Sequence, residues 1–130
     1  MTTTLKILGL LIALSTGLRG QQTVGLFLND SLAVNGYTLF SPNFNTYLID
    51  NCGRVVHSWL SGYVSGSSVY LLEDGDLMRT ARVQGSFNGG GVGGLLERYN
   101  WEGDLIGSYQ YADAEKHQHH DIEPLPNGNF

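Results

Sequence analysis

The densest chemical feature of the sequence is His117-Gln118-His119-His120-Asp121, followed closely by Glu123. Every histidine of the chain lies here except His57. Imidazole titrates near neutrality, so such a cluster suits general acid–base work. It equally suits ligation of a metal ion by His117, His119 and Asp121, or binding of a sulfuryl or phosphoryl oxyanion through imidazole N–H donors. On a strand, alternation predicts His117, His119 and Asp121 on one face, with Gln118, His120 and Ile122 on the other. The plain alternative is a polar loop entering a strand, with one hydrogen-bonded buried histidine.

Other polar features carry less. Asn88-Gly89-Gly90-Gly91-Val92-Gly93-Gly94 is not a phosphate loop, since no Gly-Lys-Ser/Thr follows and no strand–helix pattern frames it. A flexible crossover between units is expected there, with a backbone anion nest as the lesser alternative. His57 sits in Val55-Val56-His57-Ser58-Trp59, whose alternation turns Val55, His57 and Trp59 to one face and predicts packing. Trp59, Tyr63, Tyr70, Trp101 and Tyr109 are expected as packing residues, and Arg79 and Arg82 as solvated or ion-paired arginines.

The elements that position these groups are strands. Gly accounts for 18 of 130 residues, about twice its usual share of roughly 7%, and each Gly weakens a helix interior by roughly 1 kcal/mol. Short apolar runs alternate with Gly turns at Asn51-Cys52-Gly53, Asp74-Gly75, Trp101-Glu102-Gly103 and Asn127-Gly128, the pattern of antiparallel hairpins. Gly53 to Gly103 is 50 residues and Gly75 to Gly128 is 53, so two hairpins, or four strands, recur at a period near 50. That is the signature of a β-propeller blade, with a two-sheet sandwich as the competing architecture. Propellers close with 4–8 blades, so residues 36–130 are expected to form the first one to two blades of an incomplete propeller. Residues 21–35 are expected as a linker or edge strand.

Length and charge exclude several classes. The chain suits at most one domain, which rules out a multidomain enzyme. Lys6 precedes an apolar run from Ile7 to Leu18, too short for the roughly 20 residues of a membrane span, so residues 1–20 are expected to be a signal peptide directing export. The remainder has five basic residues against twelve acidic ones. Those five are scattered, which argues against nucleic acid as a partner. Cys52 is the only cysteine. No disulfide framework exists within these residues, and its thiol is expected to be buried or paired elsewhere.

Several segments together resemble the bacterial arylsulfate sulfotransferase family over about residues 36–130. They are Gly36-Tyr37-Thr38-Leu39-Phe40-Ser41-Pro42, Tyr47-Leu48-Ile49-Asp50 with Gly53, Val55-Val56-His57-Ser58-Trp59, Val69-Tyr70-Leu71-Leu72-Glu73-Asp74-Gly75 and His119-His120-Asp121-Ile122-Glu123-Pro124-Leu125-Pro126-Asn127-Gly128-Asn129. The last is the most specific. The resemblance implies an exported six-bladed propeller, periplasmic or extracellular. It would move a sulfuryl group from an aryl sulfate ester to a phenol through a sulfated histidine, with no cofactor and no nucleotide donor. On the matching positions it implies His120, with His119, as sulfuryl-binding residues and Asp121 as the group that orients an imidazole. The family's nucleophilic histidine and its arginine have no matching position here, so the resemblance implies an amino-terminal portion that is inactive alone.

Overall fold

A computed structural model describes residues 24–130; the signal-like segment 1–20 lies outside the described residues. The fold is all-β. Strands β1 (Tyr37–Phe40), β2 (Asn45–Asp50) and β3 (Val55–Leu60) form one antiparallel sheet in sequential order. Strands β4 (Ser65–Leu71), β5 (Leu77–Arg82), β6 (Gly94–Tyr99) and β7 (Leu105–Gln110) form a second, also in sequential order. Residues 24–36 precede β1 without forming a strand.

The four Gly turns share one hydrogen-bond pattern. Asp50, Leu72, Asn100 and Leu125 each donate their amide to the carbonyl four residues on, and accept at their carbonyl the amide of Gly53, Gly75, Gly103 or Gly128. All four glycines have positive φ, between 74° and 92°, a conformation that costs other residues about 1–2 kcal/mol. Three of these turns join paired strands. The Asn127-Gly128 turn closes in the same way but is flanked by residues outside any strand.

The boundary between sheets corrects the expected grouping of the hairpins. The Gly53 turn lies in the first sheet and the Gly75 turn in the second, so the repeat is offset by one hairpin from the pairing read off the spacing. The Gly-rich segment is corrected too. It joins β5 to β6, neighbours within one sheet, and is not a crossover between units.

Because each sheet is a sequential antiparallel meander, its connections fall alternately at two ends. One end carries the Gly turns. The other gathers the β1–β2 and β3–β4 connections, the Gly-rich β5–β6 loop and the segment leaving β7. Hydrogen bonds hold this loop end together: Ser61 donates to Phe44 O at 2.9 Å, Ser86 to Asp113 O at 3.1 Å and Gln118 to Tyr111 O at 2.8 Å.

The core lies between the sheets, where Leu48, Trp59, Leu77 and Tyr99 pack with Leu39 and Val69. Trp59 is 1% exposed and satisfies its indole by donating from Nε1 to Asn100 O at 2.9 Å. His57 stacks on Trp101 at 4.2 Å, in keeping with a packing role. Toward the loop end the interface becomes polar. Arg79 and Glu97, both essentially inaccessible, pair at 3.6 Å. Arg79 also donates to the carbonyls of Phe44 and Tyr63, and Glu97 accepts from Ser61 Oγ and Tyr99 Oη. Burial lowers the Arg79 pKa, which the Glu97 carboxylate opposes. Arg79 is therefore a structural ion pair, and Arg82 likewise donates from Nε to Ser65 O at 2.9 Å.

The second sheet's other face presents Tyr70, Met78, Leu96, Arg98 and Tyr109, which share a side by register. The carboxyl-terminal segment lies over it, with Phe130 against Tyr109 at 5.6 Å. Cys52 is exposed in the β2–β3 turn, which removes the buried thiol from the two expected alternatives and leaves pairing outside these residues.

Candidate functional site

The histidine segment is not a strand. Only two isolated bridges, Ala112 with His117 and Val92 with His119, tie it to neighbouring backbone. The residues that supply those bridges explain the form. His120 donates its amide to Gly91 O at 2.7 Å and takes a φ of 62°, an excursion for which histidine is one of the enriched non-glycine residues. The left-handed residue breaks alternation, and the rings of His119 and His120 consequently meet. Their Nδ1 atoms lie 2.8 Å apart, with the rings nearly perpendicular at 82°. The face assignment expected from a strand, with His119 and His120 on opposite sides, is overturned.

His117 is separate from this pair. It is buried, with Nε2 3.1 Å from Gly93 O and Nδ1 enclosed without a partner. A Cβ at Gly85 or Gly94 would fall on its ring. The glycines are therefore the surface on which this imidazole packs, and their lack of side chains is what lets the loop close over it. Gly91 does the same for His120, whose ring would sit 2.7 Å from an added Cβ. Gln118 Oε1 accepts the Gly94 amide at 2.9 Å, and the Phe87 ring lies 4.9 Å from His119. The Gly-rich loop thus carries the histidines as ligands of its own backbone and leaves two of the three imidazoles exposed.

Asp121 turns away from the imidazoles. Its Oδ1 accepts from Tyr70 Oη and from the Ile122 amide, both at 2.8 Å. These bonds hold the carboxyl below the usual carboxylate range, the Tyr70 bond contributing most, and the same bond raises the Tyr70 phenol. Orientation of an imidazole by Asp121 is not what the contacts provide; Asp121 links the histidine segment to β4. Among the described residues, no group of three or more His, Cys, Asp and Glu is placed to hold a metal, so His117, His119 and Asp121 do not converge as a three-ligand centre.

An open groove of about 410 Å³ runs between β4 and this segment, lined by Ser67, Ser68, Val69, Tyr70, His120 and Asp121. A bulge between Ser65 and Val69 shapes the β4 side. Gly66 packs on Thr80, whose Oγ1 accepts the amides of Ser67 and Ser68 at 3.1 and 3.2 Å. The site so assembled offers imidazole nitrogens and serine hydroxyls beside a single carboxylate, which already accepts the Tyr70 hydroxyl proton. Such N–H and O–H donors can bind an oxyanion. Tyr70, expected only to pack, is the residue that sequence reasoning missed. No local pattern signals it, since its partner Asp121 lies 51 residues further along the chain. No family model, curated protein or solved structure matches this chain, so the chemistry rests on this geometry and on the motifs.

Proposed function

We propose that this chain belongs to an exported β-propeller that transfers a sulfuryl group from an aryl sulfate to a phenol. The observation that carries the proposal is the exposed His119–His120 pair on the groove edge, at the end of the sheets where all the long connections gather. His120, with His119, would hold the sulfuryl oxygens by N–H donation and stabilise the charge that develops as sulfur changes partners. In such a transfer an imidazole nitrogen bonds to sulfur while the S–O bond to the phenolate breaks; a second phenol then takes the sulfuryl group and frees the imidazole. That nucleophilic imidazole, and the arginine that accompanies it in the family, match no residue of this sequence.

The propeller is favoured over a sandwich by two features. Both sheets are plain sequential meanders, whereas sandwiches generally use Greek-key connections. The central strands β5 and β6 of the second sheet are also buried, between the first sheet on one side and residues toward Phe130 on the other, while β7 is exposed along its length.

The test is transfer from a chromogenic aryl sulfate to a phenol by the purified protein, without nucleotide donor. Replacing His120 by Asn should lower turnover at least ~100-fold, the scale for loss of one oxyanion donor. Absence of turnover across a panel of phenol acceptors would favour a non-catalytic propeller that binds partners or attaches to surfaces.

A further inference from the structure

The two exposed imidazoles define a site of a different kind. We infer that His119 and His120 form a two-nitrogen chelate for a divalent transition-metal ion that prefers 90° ligand angles, Cu²⁺ before Zn²⁺. With metal–nitrogen bonds of about 2.05 Å, the 2.8 Å between the two Nδ1 atoms subtends an angle of about 86° at the metal. That is the cis angle of a square-planar or tetragonal centre. A tetrahedral ion needs the same nitrogens about 3.3 Å apart, so Zn²⁺ must force the pair open.

The backbone on both sides is fixed. The Val92 bridge holds His119, and the Gly91 carbonyl holds His120 at its left-handed φ of 62°. In the metal-free pair one Nδ1 donates its proton to the other. Metal binding requires the donating ring to take its other tautomer, its proton exchanging through solvent from Nδ1 to Nε2, and both rings turn about their Cβ–Cγ bonds until the two Nδ1 lone pairs point to a common centre. Both rings are exposed, and they turn against the Gly91 backbone beneath His120 and the Phe87 ring beside His119. Asp121 is committed to Tyr70 and the Ile122 amide, which leaves the remaining positions on the metal to water.

This site does not depend on the sulfotransferase proposal, and its test needs no substrate. The full chain, carrying Cys52→Ser so that the exposed thiol does not compete, is titrated with CuSO₄, NiSO₄ or ZnSO₄ alone. Binding is followed by calorimetry and by paramagnetic broadening of the histidine ring signals with Cu²⁺ and Ni²⁺. The expected result is one ion per chain, Cu²⁺ binding tighter than Zn²⁺, with broadening centred on His119 and His120 and not on His57 or His117. His119→Gln and His120→Asn should each weaken Cu²⁺ at least ~10-fold, the scale on which even an outer-shell partner counts. Asn accepts the left-handed backbone, so the second variant keeps the loop. Unchanged affinity in both variants, broadening centred elsewhere, or a Cu²⁺ dissociation constant weaker than about 1 mM would overturn the chelate.

Discussion

The two ends of this molecule are built on opposite principles. At the turn end, each unit is a local device in which one glycine at positive φ closes a turn through two backbone hydrogen bonds, four times over and three times between paired strands. At the loop end, almost every contact joins residues far apart in sequence. Gly85, Gly91 and Gly94 meet His117 and His120, and Arg79 meets Phe44 and Tyr63. Glycine does different work at each end, supplying backbone freedom at the turns and room for an imidazole in the loop.

The contrast is broken most severely at the ion pair. Removing the carboxylate with Glu97→Ala leaves the Arg79 guanidinium buried and uncompensated, and strips Ser61 and Tyr99 of their acceptor. A loss of about 3–5 kcal/mol is expected, measured by denaturant unfolding. A loss under about 1 kcal/mol would mean that the loop end does not depend on this pair.

A sharper comparison uses two glycines with almost equal φ, 98° at Gly94 and 92° at Gly103. Gly103→Ala meets nothing within 4 Å, so only the backbone cost of about 1–2 kcal/mol applies. Gly94→Ala drives its methyl into His117, Ala112 and Val83, all within 2.8 Å, and overpacking adds about 1–3 kcal/mol. Equal losses in the two variants would dissolve the distinction between the ends.

The smallest effect concerns pH. The Tyr70 bond lowers the Asp121 pKa, so this contribution is present above the ordinary carboxylate range and lost as pH falls through the lowered value. The raised Tyr70 phenol works in the other direction: its contribution is present below 10.0 and lost as pH rises through the raised value. Tyr70→Phe should move the Asp121 carboxyl titration, followed by carbon NMR, back toward the ordinary range. An unmoved titration would show that the Tyr70–Asp121 bond does not form in solution.

The same division sets what could be read from the residues alone. Turns are local, so Gly53, Gly75, Gly103 and Gly128 were legible from composition and spacing, and with them the all-β class. Packing of His57 and Trp59 followed from strand alternation. The histidine segment was not legible in the same way, because its form is imposed by Gly91, Val92 and Gly93 more than 20 residues earlier. Alternation therefore separated His119 from His120, while a single left-handed residue brings them together. The carboxylate of Asp121 pointed to an imidazole in the motif and to Tyr70 in the fold, for the same reason.

The central claim is that the groove beside His119 and His120 receives an aryl sulfate. It is tested most directly by titrating the isotope-labelled chain with 4-nitrophenyl sulfate and following the side-chain signals of His119, His120, Tyr70, Ser67 and Ser68. Saturable shifts confined to those residues, reduced in His120→Asn and absent at the Gly75 and Gly103 turns, are expected. Shifts that do not saturate, or that centre on any other part of the molecule, would contradict it.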